Sequence, residues 1–224
     1  MDRFPAPIYE DSHLLVLNKP AGLLTQPSGT NQESLEYFAK SWLKEKYQKP
    51  GNVFLEAVHR LDRPVSGIVL FAKTSKALSR LNSFVRGRQT KKIYEAWVEG
   101  TPRFESETLV DYLVHDDFSA RISSQADPKA KEARLSYRIL SKTEKYARLE
   151  IHLDSGRYHQ IRIQLASMGC PIRGDQKYGA KESFNFYLPE GIALHSRVLV
   201  IPHPIGGAEM HFECLPPWSS TERE

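Results

Sequence analysis

Between Lys92 and Leu153 five strand-like segments follow one another with room only for short connections: Lys92–Glu99, Thr108–His115, Ala120–Ser124, Ala133–Leu140 and Tyr146–Leu153. Each combines β-branched and aromatic residues with apolar–polar alternation, the pattern of a strand with one buried face. Parallel neighbours would need long crossovers, so the short spacing predicts antiparallel pairing. More strands are expected at both ends of the chain. The apolar run Ile8–Asn18, stopped by Lys19-Pro20-Ala21-Gly22, reads as a strand and turn, Phe54–Val58 and Gly67–Lys73 flank a polar loop, and Ile192–Ile201 and Ala208–Cys214 close the chain.

Helical periodicity is confined to three places. Leu35, Phe38, Ala39, Trp42 and Leu43 recur at helical spacing after Thr30-x-x-Glu33, which resembles a capping box. Ala77, Leu78, Leu81, Phe84 and Val85 follow Thr74 as N-cap and precede Gly87 as the terminating glycine. His159–Met168 follows the turn Asp154-Ser155-Gly156 and stops at Gly169. The fold class is α+β with strands dominating. Ser124–Lys131, which contains Pro128, is the candidate mobile loop or linker between lobes.

At 224 residues the chain is long enough to bury a full core without staples. Its two cysteines, Cys170 and Cys214, lack CxxC spacing and suit packing in a reducing compartment. No apolar run approaches the roughly 20 residues of a membrane span. The opening Met1-Asp2-Arg3-Phe4-Pro5 lacks the order of a signal peptide, so a cytoplasmic location is expected. The net charge of +4 is a mild excess, but it is clustered. Arg80, Arg86, Arg88, Lys91 and Lys92 crowd one stretch and Arg157, Arg162, Arg173, Lys177 and Lys181 another, which favours a polyanionic partner.

Three segments can carry chemistry. His59-Arg60-Leu61-Asp62-Arg63-Pro64-Val65-Ser66-Gly67 places an acid between two guanidinium groups, which favour its charged form, in a loop between strands. On spacing alone, a salt-bridged turn is the favoured reading of Asp62, because ion pairs are commoner than active sites. In Gly156-Arg157-Tyr158-His159-Gln160-Ile161-Arg162 a helix could turn Arg162 inward, where it needs an anion and Asp62 is a candidate; the plainer reading is that Arg162 meets only solvent or phosphate. On the strand Lys91–Gly100, Tyr94 shares a face with Lys92 and Ala96; its ring could pack in the core or stack on a base, and its hydroxyl could relay a proton.

These segments, in this order, resemble the signatures of the RluA-type pseudouridine synthases: HRLDRPVSG, KKIYEAWVEG, GRYHQIRIQLASMGCPIRGDQKYG and IALHSRVLVIPHP, with NKPAG at Asn18–Gly22 as the early strand and turn. The resemblance implies a single catalytic domain over residues 1–224, of two lobes around a mixed, mostly antiparallel central sheet with a cleft. It implies RNA as partner, no cofactor and no metal. Asp62 would be the catalytic aspartate, Tyr94 the active-site tyrosine and Arg162 the arginine that pairs with the aspartate. Arg60 would help hold the RNA open. His59, Arg63, Lys91, Lys92, Arg157, His159, Arg173 and Lys177 are the further candidates for RNA contact. The family often has Thr at the position of Val65 and His at that of Gln164, departures expected to touch packing or RNA contacts rather than reaction type. About 50 residues precede the catalytic loop, so no separate S4-type RNA-binding domain is expected. Ribosomal and transfer RNA are both open as substrates, and a monomer without an obligate protein partner is expected.

Two other readings compete. A catalytically inactive RNA-binding protein on the same scaffold would keep the basic clusters but has no need of the Asp62, Tyr94 and Arg162 set. A metal-dependent hydrolase is prompted by eight histidines, among them His152, His159, His195, His203 and His211, but none stands in HExxH spacing.

Overall fold

A computed structural model describes residues 5–29, 33–184 and 190–219. The chain forms two compact units, one from residues 1–90 and 196–224 and the other from Lys91–His195. The expected linker at Ser124–Lys131 lies inside the second unit instead. There it is a tight turn in which the Asp127 carboxylate accepts from Ser123 Oγ and Lys129 N.

The first unit contains β1 (Tyr9–Glu10), β2 (Leu14–Lys19), α1 (Leu35–Lys46), β3 (Glu56–Ala57), β4 (Ser66–Ala72) and α2 (Ser75–Arg86), and most of β10 (Leu194–Pro202) with β11 (Glu209–Glu213). The run expected as one strand is two, because the Asp11 carboxylate accepts from the backbone N–H of His13 and Leu14 and turns the chain. β2 pairs antiparallel with β4, β4 lies beside β10, and β10 pairs antiparallel with β11. Leu14, Val16, Ile68 and Leu70 pack with Ala77 and Leu81 of α2 on one face, and Leu15, Leu17, Val69 and Phe71 are fully buried on the other. A sheet covered on both faces explains why these strands read as continuous apolar runs.

Thr74 caps α2 as expected, its hydroxyl accepting from Ala77 N. Gly87 follows the helix with φ −75°, and the left-handed position is Arg88. The cap of α1 is Ser34, whose hydroxyl accepts from Tyr37 N; Thr30 of the expected capping box lies outside the described residues.

The second unit contains β5 (Lys91–Glu99), β6 (Ser106–Asp116), β7 (Ser119–Ser123), β8 (Lys131–Lys142), β9 (Tyr146–Leu153) and α3 (Gln160–Ser167), then a 3-10 turn, Gln176–Tyr178. All five strands are antiparallel in the order β5-β9-β8-β6-β7, so β5 pairs with β9 rather than with its sequence neighbour β6. α3 packs against β6 and β7. Its first turn is built by Gln160, whose side-chain oxygen accepts from Ser155 Oγ and Arg157 N while its amide donates to the Arg134 carbonyl. His159 enters the helix in left-handed conformation, φ 53°.

Candidate functional site

In the first unit the loop carrying Asp62 is clamped from both sides by the turn after β2. Leu61 N donates to Thr25 Oγ1 at 3.1 Å, and the same hydroxyl donates to the Leu61 carbonyl at 3.0 Å. On the other side Gly22 N donates to the Arg63 carbonyl, and Arg63 Nε donates to the Gly22 carbonyl, both at 2.9 Å. Val65 N closes a tight turn onto the Asp62 carbonyl at 3.0 Å. Asp62 is thus held at its two neighbours while its own side chain is half-buried.

The residue that ties the two loops together is Lys19, which reading the sequence had treated only as part of a turn. Its side chain is fully buried, and its Nζ donates to the carbonyls of Leu23, Pro20 and Arg63 at 2.6, 3.0 and 3.1 Å. Three acceptors match the three N–H donors of an ammonium group. Burial pushes Lys19 down to about 7, against the pull of the nearby Asp62 carboxylate and with a further push from Arg63. A lysine ending an otherwise apolar strand on its buried side was the available signal: Leu15, Leu17 and Lys19 share a face by the period of two.

Gly67 fixes the far end of the loop. It has φ +116°, and a Cβ there would lie 2.4 Å from the Ser196 carbonyl oxygen and 2.5 Å from the Ser196 nitrogen. Only glycine lets β4 approach the β10 backbone so closely. Arg60 and Arg63 are exposed beside Asp62, whereas the His59 ring turns back and accepts from Leu70 N.

In the second unit Tyr94 is 6% exposed on β5. Ala96 and Val98 continue its face, and Glu95, on the opposite face, is buried against Arg148 at 2.8 Å. Arg162 does turn inward, at 5% exposure, and this unit supplies it with a carboxylate that the sequence had not singled out. Asp175, itself 2% exposed, accepts from Arg162 Nε at 2.7 Å and from Nη2 at 2.8 Å. This bidentate, charge-assisted pair fixes the plane of the guanidinium group. The Tyr178 ring lies 5.1 Å from its central carbon.

His159 extends the same support. Its ring is buried, and Nδ1 lies 2.7 Å from the Tyr178 hydroxyl, which accepts from Ala120 N at 2.9 Å. The contact suits a neutral imidazole, with donor and acceptor set by its tautomer. Burial, then the neighbouring Arg162 and Lys177, push His159 down to about 3, in agreement.

The remaining cations differ in what they offer. Lys91, Arg157 and Lys177 are exposed. Lys92 is half-buried, its ammonium lowered by burial. Arg173 is packed at 4.0 Å over the Tyr146 ring and 5.3 Å from that of Phe184, with Glu182 at 3.7 Å. Of the two departures, Val65 is buried, and Gln164 donates to Asp111 Oδ2 of β6 at 2.7 Å and to the Ala133 carbonyl of β8 at 3.3 Å. Gln164 therefore works in packing α3 against the sheet.

A family model described as RNA pseudouridylate synthase matches residues 13–167. Ribosomal large subunit pseudouridine synthase D of Yersinia pestis is 32% identical over 226 residues, covering 96% of this chain and 68% of that protein. Dual-specificity RNA pseudouridine synthase RluA of Salmonella typhi is 32% identical over 208 residues, covering 92% of this chain and 90% of that protein. Among solved structures, human RNA pseudouridylate synthase domain containing 4 aligns with a TM-score of 0.78 at 24% identity, covering 94% of this chain and 88% of that one.

Proposed function

The chain belongs to the RNA pseudouridylate synthase family, and from that premise we propose that Asp62, Tyr94 and Arg162 act on one flipped-out uridine. The enzyme is an isomerase that converts uridine in RNA to pseudouridine. The N1–C1′ bond breaks, the uracil turns, C5 joins C1′, and the proton on C5 leaves while N1 gains one. Nothing is oxidised or reduced.

The observation that carries the assignment of Asp62 is the double clamp. A carboxylate that must meet one sugar carbon gains from a backbone held on both sides, and Thr25, Gly22 and Lys19 provide that for residues 61 and 63. Three routes use such a carboxylate: attack on C1′, stabilisation of positive charge there, or removal of the 2′ proton. In this reading Arg162, locked by Asp175, orients Asp62, and Tyr94 stacks on the uracil and assists loss of the C5 proton. Their joint action rests on the family motifs; the clamped backbone on either side of Asp62, the burial of Tyr94 and the Arg162–Asp175 pair support it.

C1′ is shielded within a stacked helix, so the nucleotide must leave the stack at a cost of roughly a few kcal/mol. We assign that work to the exposed cations Arg60, Arg63, Lys91, Arg157 and Lys177, with Arg60 holding the RNA open. His59, Lys92, His159 and Arg173, buried or half-buried, are read as supports. Ribosomal and transfer RNA remain the proposed substrate classes, the cytoplasm the proposed location and a monomer the proposed state. No described helix is long and apolar enough to cross a membrane. Mapping pseudouridine in total RNA from cells with and without the protein tests the function: the reading expects at least one site lost without it. Identical maps would contradict it.

A further inference from the structure

The hairpin between β6 and β7 turns at residues 116–119 and puts Phe118 into solvent at 81% exposure, the highest of the large hydrophobic side chains among the described residues. A single exposed apolar residue is ordinary. Phe118 differs in being held. Its carbonyl accepts from the Tyr158 hydroxyl at 3.4 Å and from Lys177 Nζ, both outside the hairpin. Beside it, rings stand in series: His115 lies 4.1 Å from Tyr158, which stacks on His159 at 3.9 Å and 19°. The hairpin is also joined to the arginine site, since Ala120 N donates to the Tyr178 hydroxyl and the Tyr178 ring faces Arg162.

Charge says what kind of contact this tip makes. Asp116 pairs with Arg121 at 2.8 Å, and Asp117 also stands at the tip, so the hairpin is no phosphate-neutralising surface. What it presents is an exposed ring on an anchored backbone, and exposed aromatic rings are the means by which proteins hold unpaired bases with little regard to sequence.

We propose that the β6–β7 hairpin is a substrate-reading finger whose tip residue, Phe118, stacks on an unpaired base flanking the target uridine. This rests on the RNA-modifying function above. One base–aromatic stack corresponds to roughly 5- to 150-fold in affinity, and a stack without a phosphate contact leaves the salt slope unchanged.

The test compares wild type, Phe118→Ala, Phe118→Trp and, as a control elsewhere on this unit, Phe104→Ala. The probe is total RNA from cells lacking the protein, tritiated at uridine C5. Tritium release gives the half-saturating RNA concentration, and filter retention gives binding without turnover. Phe118→Ala is expected to raise both by about tenfold, by the same factor at low and high salt. Phe118→Trp should restore them and Phe104→Ala leave them unchanged. A Phe118→Ala protein within about twofold of wild type in both assays overturns the proposal, as does a change in self-association without one in RNA binding. If wild type binds the RNA but releases no tritium, the function fails, while the retention ratio still decides the role of Phe118.

Discussion

Asp175→Ala removes a carboxylate from a pair in which both partners are almost fully buried, Arg162 at 5% and Asp175 at 2% exposure. Two charge-assisted hydrogen bonds, at 2.7 and 2.8 Å, are lost together. Breaking such a pair from one side costs about 3–5 kcal/mol, because the remaining charge stays buried with these two bonds gone. With a urea m-value of about 2 kcal/mol per molar, the unfolding midpoint should fall by about 2 M. A double-mutant cycle with Arg162→Met separates the pair from general packing. The second substitution removes the guanidinium charge as well, so the double variant should be more stable than the two single losses predict, by at least about 1 kcal/mol. Turnover should fall in Asp175→Ala even under conditions where it is fully folded. A loss under about 1 kcal/mol, or strictly additive losses, would refute the idea that Asp175 holds Arg162.

Gly67→Ala should cost about 3 kcal/mol or more in chemical denaturation, since its Cβ would meet Ser196 backbone at 2.4 Å in a left-handed conformation; a loss under about 1 kcal/mol would show that β4 can shift. Lys19 should make stability depend on pH. Its folded-state value is depressed to about 7 from 10.5, so the unfolded chain holds a proton that the folded chain sheds between these values, and stability rises with pH across that window by up to about 1.4 kcal/mol per unit. Lys19→Met should remove this slope from the pH profile of the unfolding free energy. Parallel profiles for the two proteins would contradict it. Tyr94→Phe should retain RNA on filters while slowing tritium release by about 100-fold, and loss of binding with unchanged turnover at saturation would deny its hydroxyl that role.

What could be read in advance was local. The Thr74 cap and the apolar spacing of α2 are properties of one stretch of chain, and the five strands from residue 92 to 153 announce themselves by alternation. Their order does not, because β5 joins β9 across more than 40 intervening residues and nothing in either strand names the other. Asp11 shows the same limit at short range: its capping of His13 and Leu14 divides a run that composition presents as a single strand. At the candidate site, Asp62, Tyr94 and Arg162 were singled out through motif order, whereas Asp175 and Lys19 were not. Both are buried polar residues whose meaning lies in their acceptors and donors. Asp175 in particular sits in a basic stretch where it reads as an interruption rather than as the counterion of Arg162.

The central claim is that one carboxylate, held by the turn after β2, drives the isomerisation. Release of tritium from C5-labelled uridine in RNA, compared between wild type and Asp62→Asn, tests it most directly. Asparagine keeps the size of the side chain and leaves the Thr25, Gly22 and Lys19 bonds to residues 61 and 63 in place. The account predicts release by wild type and none above background by Asp62→Asn at equal RNA occupancy. Equal release by both would contradict it.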